Sequence, residues 1–76
     1  MEIDKDLDQI IWNTEGLPFP ISEDLVMKSA AGWYIGQVCK DPDIGGAIVP
    51  YDRHSIYGTK EEARKWLASN RWPITF

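Results

Sequence analysis

Apolar positions recur along this chain in two rhythms, and the change between them divides it. In residues 4–12, Leu7, Ile10 and Ile11 stand at i, i+3 and i+4, the stripe of a short helix with acids near its positive end. From Leu25 the spacing changes. Runs over 25–30 and 33–40, the second carrying Trp33, Tyr34, Ile35 and Val38, hold side chains that suit a pleated surface, and Ala31 and Gly32 between them predict a hairpin. A third run over 46–54 contains Ala47, Ile48, Val49 and Tyr51. The helical rhythm returns at Ala63, Trp66 and Leu67, which share one face.

Punctuation between the runs supports this division. Asn13, Thr14, Glu15 and Gly16 end the first helix, and Pro18 and Pro20 keep the following linker extended. Asp41, Pro42, Asp43, Gly45 and Gly46 have the chemistry of a turn. Gly36 inside a strand points to a bulge or a close backbone approach, and Pro50, which has no N–H, puts the third strand at an edge or interrupts it. Thr59 and Glu62 have the T-x-x-E spacing of a capping box, Glu61 and Lys65 stand at i, i+4, and Asn70 with Pro73 closes the helix.

The expected fold is therefore α+β: a short N-terminal helix, a three-stranded antiparallel sheet and one C-terminal helix packed on the sheet. Residues 1–76 form a single small domain, with an acidic helical head and Pro-rich linker over 1–24, a βββα core over 25–70 and an aromatic tail over 71–76. An exposed edge strand gives such a sheet a route to a homodimer.

Composition narrows the chemistry. Apolar residues make up 43% of the chain and four residues are Trp, enough for one core without a metal or disulfide staple. The single cysteine, Cys39, excludes an intramolecular disulfide. No apolar run approaches the roughly 18 residues of a membrane span, and the acidic start lacks the features of a signal peptide, so a cytoplasmic protein is expected. The net charge of −4 is uneven: residues 1–24 hold seven acids and Lys5, whereas the remaining residues carry an excess of two bases. The total opposes a tight nonspecific grip on nucleic acid; the local balance of the second part permits contact with it.

Catalytic patterns are sparse. Cys39 and His54, with Asp52 to orient the imidazole, are the components of a nucleophilic pair, but a lone strand cysteine is ordinarily a small buried apolar residue. Asp41, Asp43 and Asp52 fall at positions 1, 3 and 12 of a calcium-loop template, yet Gly45 occupies a ligand position and the flanks read as strands. Gly58, Thr59 and Lys60 stand in the wrong order for a phosphate loop, and adjacent Glu61 and Glu62 diverge on a helix. No cofactor or metal is expected.

Three strands followed by Tyr57, Thr59, Lys60, Glu61, Glu62, Ala63, Trp66 and Leu67 resemble the arm-type DNA-binding module of phage and transposon tyrosine integrases, over about residues 25–70. The resemblance implies a sheet that enters the major groove, with Lys28, Trp33, Gln37, Lys40 and Arg53 as contacts by strand position. These strands are sparsely charged, and Asp41, Asp43 and Asp52 flank them.

The expectation is thus a non-enzymatic interaction or regulatory module that binds a protein partner, of the kind phages and mobile elements carry as accessory proteins. Trp12, Phe19, Trp33 and Trp72 are its candidate anchors. Nucleic-acid binding by the sheet face is the alternative.

Overall fold

The computed structural model describes residues 1–74. Its elements are β1 (Glu2–Ile3), β2 (Trp12–Asn13), β3 (Ile21–Ser22), β4 (Leu25–Ser29), β5 (Gly32–Asp41), β6 (Ala47–Arg53) and α1 (Lys60–Ser69), with 3-10 turns at Leu7–Gln9 and Pro42–Ile44. Among the described residues there are six strands in one antiparallel sheet, and one α-helix. The α+β class stands, but the expected three-stranded sheet and N-terminal helix are corrected.

The ten-residue β5 organises the sheet. On one edge its first half pairs with β4, from Ser29 opposite Gly32 to Leu25 opposite Gly36, and Cys39 farther along pairs with Ile21 of β3. On the other edge Gly36 to Asp41 pair with β6, and Trp33 exchanges two backbone hydrogen bonds with Gly58. Each edge has one gap where the neighbouring backbone turns away. Val38 N–H there donates to Ser22 Oγ at 2.9 Å, and Ile35 N–H donates to Ser55 Oγ at 2.8 Å. Each hydroxyl donates onward to the next residue's carbonyl, Ser22 to Glu23 and Ser55 to Ile56, both at 2.8 Å. Ser22 and Ser55 are the buried polar residues among those described, and both are spent on completing β5.

Alternation along β4 and β5 sends apolar side chains to both faces. Leu25, Met27, Tyr34 and Val38 meet Ile10 on one face, with Ile3, Trp12 and Ile48 around them. Val26 and Ile35 meet Ala63 of α1 on the other, with Trp33, Trp66, Leu67 and Trp72 around them. The helix face expected from Trp66 and Leu67 is the one used. The opposite face is covered by the head, and the sheet curls enough that Ile3 and Ile48, from its two sides, line one groove.

The head does not form a helix because its backbone is committed elsewhere. Ile10 is buried, but Leu7 and Ile11 are exposed, so the helical stripe is not used as one. Glu23 accepts hydrogen bonds from Lys5 Nζ at 2.6 Å and from Ile11 N–H at 3.0 Å, and Glu23 N–H donates to Ile11 carbonyl. Trp12 and Asn13 then pair with Ser22 and Ile21. A nine-residue helix has a costly nucleus and few propagating bonds, so these long-range contacts win.

Helix α1 begins as its sequence implies: Glu62 N–H donates to Thr59 Oγ1 at 3.1 Å and Thr59 N–H to Glu62 Oε1 at 3.0 Å. Asn70, at φ 55°, ends it in the left-handed conformation. Its ion pairs run across the fold, where Glu61 and Lys65 were expected to pair: Arg64 grips Asp4 with two nitrogens at 2.6 and 2.8 Å, and Lys60 lies 3.7 Å from the same carboxylate. Trp72 of the aromatic tail packs with α1 and Ile56 N–H donates to Pro73 carbonyl, while the last two tail residues lie outside the described residues. No helix among the described residues is long and apolar enough to cross a membrane.

Truncating Ser22 or Ser55 to Ala strands a buried N–H, and each change is expected to cost about 1–3 kcal/mol in urea unfolding. An exposed control, Ser69→Ala, should shift the midpoint far less. Acid should release the head. The hydrogen bond from Arg64, then its charge and Lys60, hold the Asp4 carboxyl below its ordinary value of 3.8, and Lys5 and Ile11 N–H hold Glu23 below its ordinary 4.5. Both folded values are depressed, so their stabilisation is present above the ordinary values and is lost as pH falls through the folded ones. As pH falls below 3.8, wild-type protein should therefore lose stability more steeply than Asp4→Asn, which has already lost that contribution.

Candidate functional site

The β5–β6 ladder is interrupted once. Asp52 stands opposite Gln37 and Pro50 opposite Val38, which makes Tyr51 the additional residue of a bulge. A cleft of about 240 Å³ opens beside it, lined by Tyr34, Pro50, Tyr51, Asp52, Arg53 and Tyr57.

Gly36 makes this geometry possible. A Cβ there would lie 2.5 Å from the Asp52 carbonyl and 2.7 Å from the Tyr34 ring, so only glycine lets β6 and that ring approach together. Tyr34, buried over Gly36, forms the floor. Its ring meets Tyr57 edge-on, with centroids 5.5 Å apart, and the Arg53 guanidinium stands 4.5 Å from the Tyr57 centroid. Arg53 Nη1 also donates to the Ser55 carbonyl at 3.0 Å, which ties the cleft to the serine that completes β5. Tyr51 is held from outside by Phe19, edge-on at 5.9 Å. Tyr51 and Tyr57 nevertheless remain 48% and 40% exposed. Burial, then the neighbouring Tyr57, push the Tyr34 phenol above its ordinary pKa, with Arg53 opposing them, so it remains a hydrogen-bond donor at neutral pH.

The anchors expected from the sequence are dispersed. Trp12 is half-buried beneath Lys40, whose Nζ lies 4.6 Å from its ring, and Phe19 buttresses the cleft through Tyr51. Trp33 and Trp72 support the core under α1, with Lys28 and Lys60 at 5.7 and 5.0 Å from the Trp33 ring. The candidate nucleic-acid contacts divide by strand register. Lys28, Trp33 and Gln37 belong to the α1 side, whereas Lys40 and Arg53 belong to the other. Gln37 is further engaged, donating to Ser22 carbonyl at 2.9 Å and sharing a 2.7 Å hydrogen bond with His54 Nε2.

Cys39 and His54 do not form a reactive pair. His54 bonds to Gln37 and lies 3.7 Å from Asp24 and 3.8 Å from Asp52. Cys39 is buried, and burial followed by the charge of Asp41 raises its thiol pKa, the reverse of an activated nucleophile. Asp41 instead caps its own turn, accepting from Asp43 N–H at 2.9 Å. Among the described residues no group of three or more His, Cys, Asp or Glu is placed to hold a metal.

Of the cleft residues, only Arg53 was singled out as a contact, and Asp52 as a partner for His54 and as a position of the calcium-loop template. Tyr34, Tyr51 and Tyr57 were missed as a group because their convergence depends on the bulge and on Gly36. The available signals were Gly36 and Pro50, which marked a close approach and an interrupted strand but not which side chains would meet there. No protein-family model, curated protein or solved structure matches this chain.

Proposed function

We propose that this chain is a non-enzymatic interaction module that binds a protein partner through the cleft beside the β6 bulge. The observation that supports this reading is the cleft's make-up: three tyrosines and an arginine, fixed by ring contacts and by Gly36, with two tyrosines exposed. Tyrosine and arginine are enriched where interfaces concentrate binding energy, and immobilised rings lose little entropy on binding. Nucleic-acid binding is the weaker reading, since the five strand residues suggested for it divide between the two faces of the sheet. Several bases are also engaged: Lys28, Lys40, Arg53 and Lys60 on aromatic rings, and Arg64 on Asp4.

Immobilised wild-type chain, and a Tyr51→Ser/Tyr57→Ser variant matched to it in cooperative thermal unfolding, would be exposed to extract of the source cells. The reading predicts a protein retained by the wild type at roughly 0.15 M salt and lost with the variant. Equal retention by both contradicts it. So does an absence of retained protein combined with binding of a labelled duplex that weakens steeply with salt.

A further inference from the structure

The cleft gathers hydrogen-bond donors around a charge that has no counter-charge. Tyr34 is only 6% exposed, yet among the described residues nothing bonds to its hydroxyl. No fully enclosed side-chain nitrogen or oxygen among those residues lacks a partner, so this hydroxyl opens into the cleft that Tyr34 lines. A phenol so nearly buried has little water to satisfy it. Burial, the largest influence, raises its pKa; Tyr57 raises and Arg53 lowers it as well, so the three polar ends lie close enough to act on one another. Arg53 rests on the Tyr57 ring and donates through Nη1 to the Ser55 carbonyl at 3.0 Å, which fixes the guanidinium and leaves its Nε–Nη2 edge open. Among the described residues no carboxylate pairs with it. Asp52 borders the cleft but stands opposite Gln37, on the α1 side, where its carboxylate lies 3.8 Å from His54 Nδ1 and accepts Arg53 N–H at 2.9 Å.

We propose that the cleft receives one carboxylate of the partner, an aspartate or glutamate side chain, between the Arg53 guanidinium and the Tyr34 hydroxyl. This rests on the protein-partner reading above. A carboxylate accepts two parallel hydrogen bonds from the Nε–Nη2 edge of an arginine. The fold already makes that pair once, where Arg64 holds Asp4 through Nε and Nη2 at 2.6 and 2.8 Å. The remaining lone pairs of the carboxylate suit the phenolic O–H groups of Tyr34 and Tyr57. One guanidinium also matches one carboxylate charge. Recognition of phosphate draws on clusters of arginine, and among the described residues no second base lines this cleft. An ion pair in open solvent contributes little, but the rings of Tyr34, Tyr51 and Tyr57 flank this one and lower the local dielectric.

The probe is a displayed library of random twelve-residue peptides, selected on the full chain and kept where Tyr51→Ser releases them. Peptides so chosen should share one aspartate or glutamate. Changing that residue to its amide should weaken binding to the wild type by about tenfold or more, as loss of a hydrogen bond to a charged group does. Against Arg53→Gln, which has lost the charged fork, the same change should cost less than about threefold. Tyr34→Phe should weaken the acidic peptide several-fold while leaving the midpoint of urea unfolding in place, because the hydroxyl it removes bonds to nothing in the fold. Selected peptides without a fixed acid overturn the proposal, as does an amide effect that is equal in the wild type and Arg53→Gln. Tighter binding of a phosphoserine at the acidic position also overturns it, and so does a library that yields no cleft-dependent peptide. If the extract yields a tyrosine-dependent partner that Arg53→Gln and Tyr34→Phe retain as well as the wild type does, the carboxylate proposal falls while the protein-partner reading stands. If neither extract nor library yields a binder, both fall.

Discussion

Strand β5 is hydrogen-bonded along both edges, and two serine hydroxyls complete those edges where backbone partners are missing. Ser22 serves Val38 at the passage from β4 to β3, and Ser55 serves Ile35 where the chain leaves β6. Each hydroxyl also has an acceptor for its own proton, so neither leaves a buried polar group unpaired. An unpaired N–H at either place would carry a desolvation cost that is a large part of what a domain this small has in reserve. The central strand can consequently be buried on both faces, and the two cores can form on either side of it.

The acidic head follows from this arrangement. One core needs a cover that α1 cannot provide, and residues 1–24 supply it by burying Ile10 and adding short strands to the sheet. Its acids are partly structural: Asp4 binds α1 through Arg64, and Glu23 joins Lys5 to the backbone of Ile11. The negative charge of the head therefore belongs to the fold as well as to the surface.

The core of the fold was legible in the sequence and its periphery was not. Strands β4 to β6, the turn at Asp41 and the capping box of α1 each rest on local chemistry, and each was found near its expected limits. The head was misread because Leu7, Ile10 and Ile11 have helical spacing, while the groups that override it, Glu23 and β3, are distant in the chain. The continuous apolar run Leu25, Val26, Met27 carried a further signal, since a strand with one solvated face would alternate. All three residues are buried, and the sheet carries an apolar cluster on each face. The cleft was readable in part: Gly36 and Pro50 marked an irregular place, but only the three-dimensional bulge brings Tyr34, Tyr51 and Tyr57 together.

Scaffold and cleft share their supports. Arg53 stacks on Tyr57 while bonding to Ser55 carbonyl, and Gly36 lies both in the central ladder and under the Tyr34 ring, so the geometry of the cleft depends on β5 being intact. Native-state amide exchange is the most direct test of that dependence. The amides of Val38 and Ile35 should exchange as slowly as those of ladder-bonded neighbours such as Tyr34 and Met27, only through global unfolding. Exchange at Val38 and Ile35 orders of magnitude faster than at those neighbours would contradict the account, because it would mean that the serine hydroxyls do not close the edges of β5.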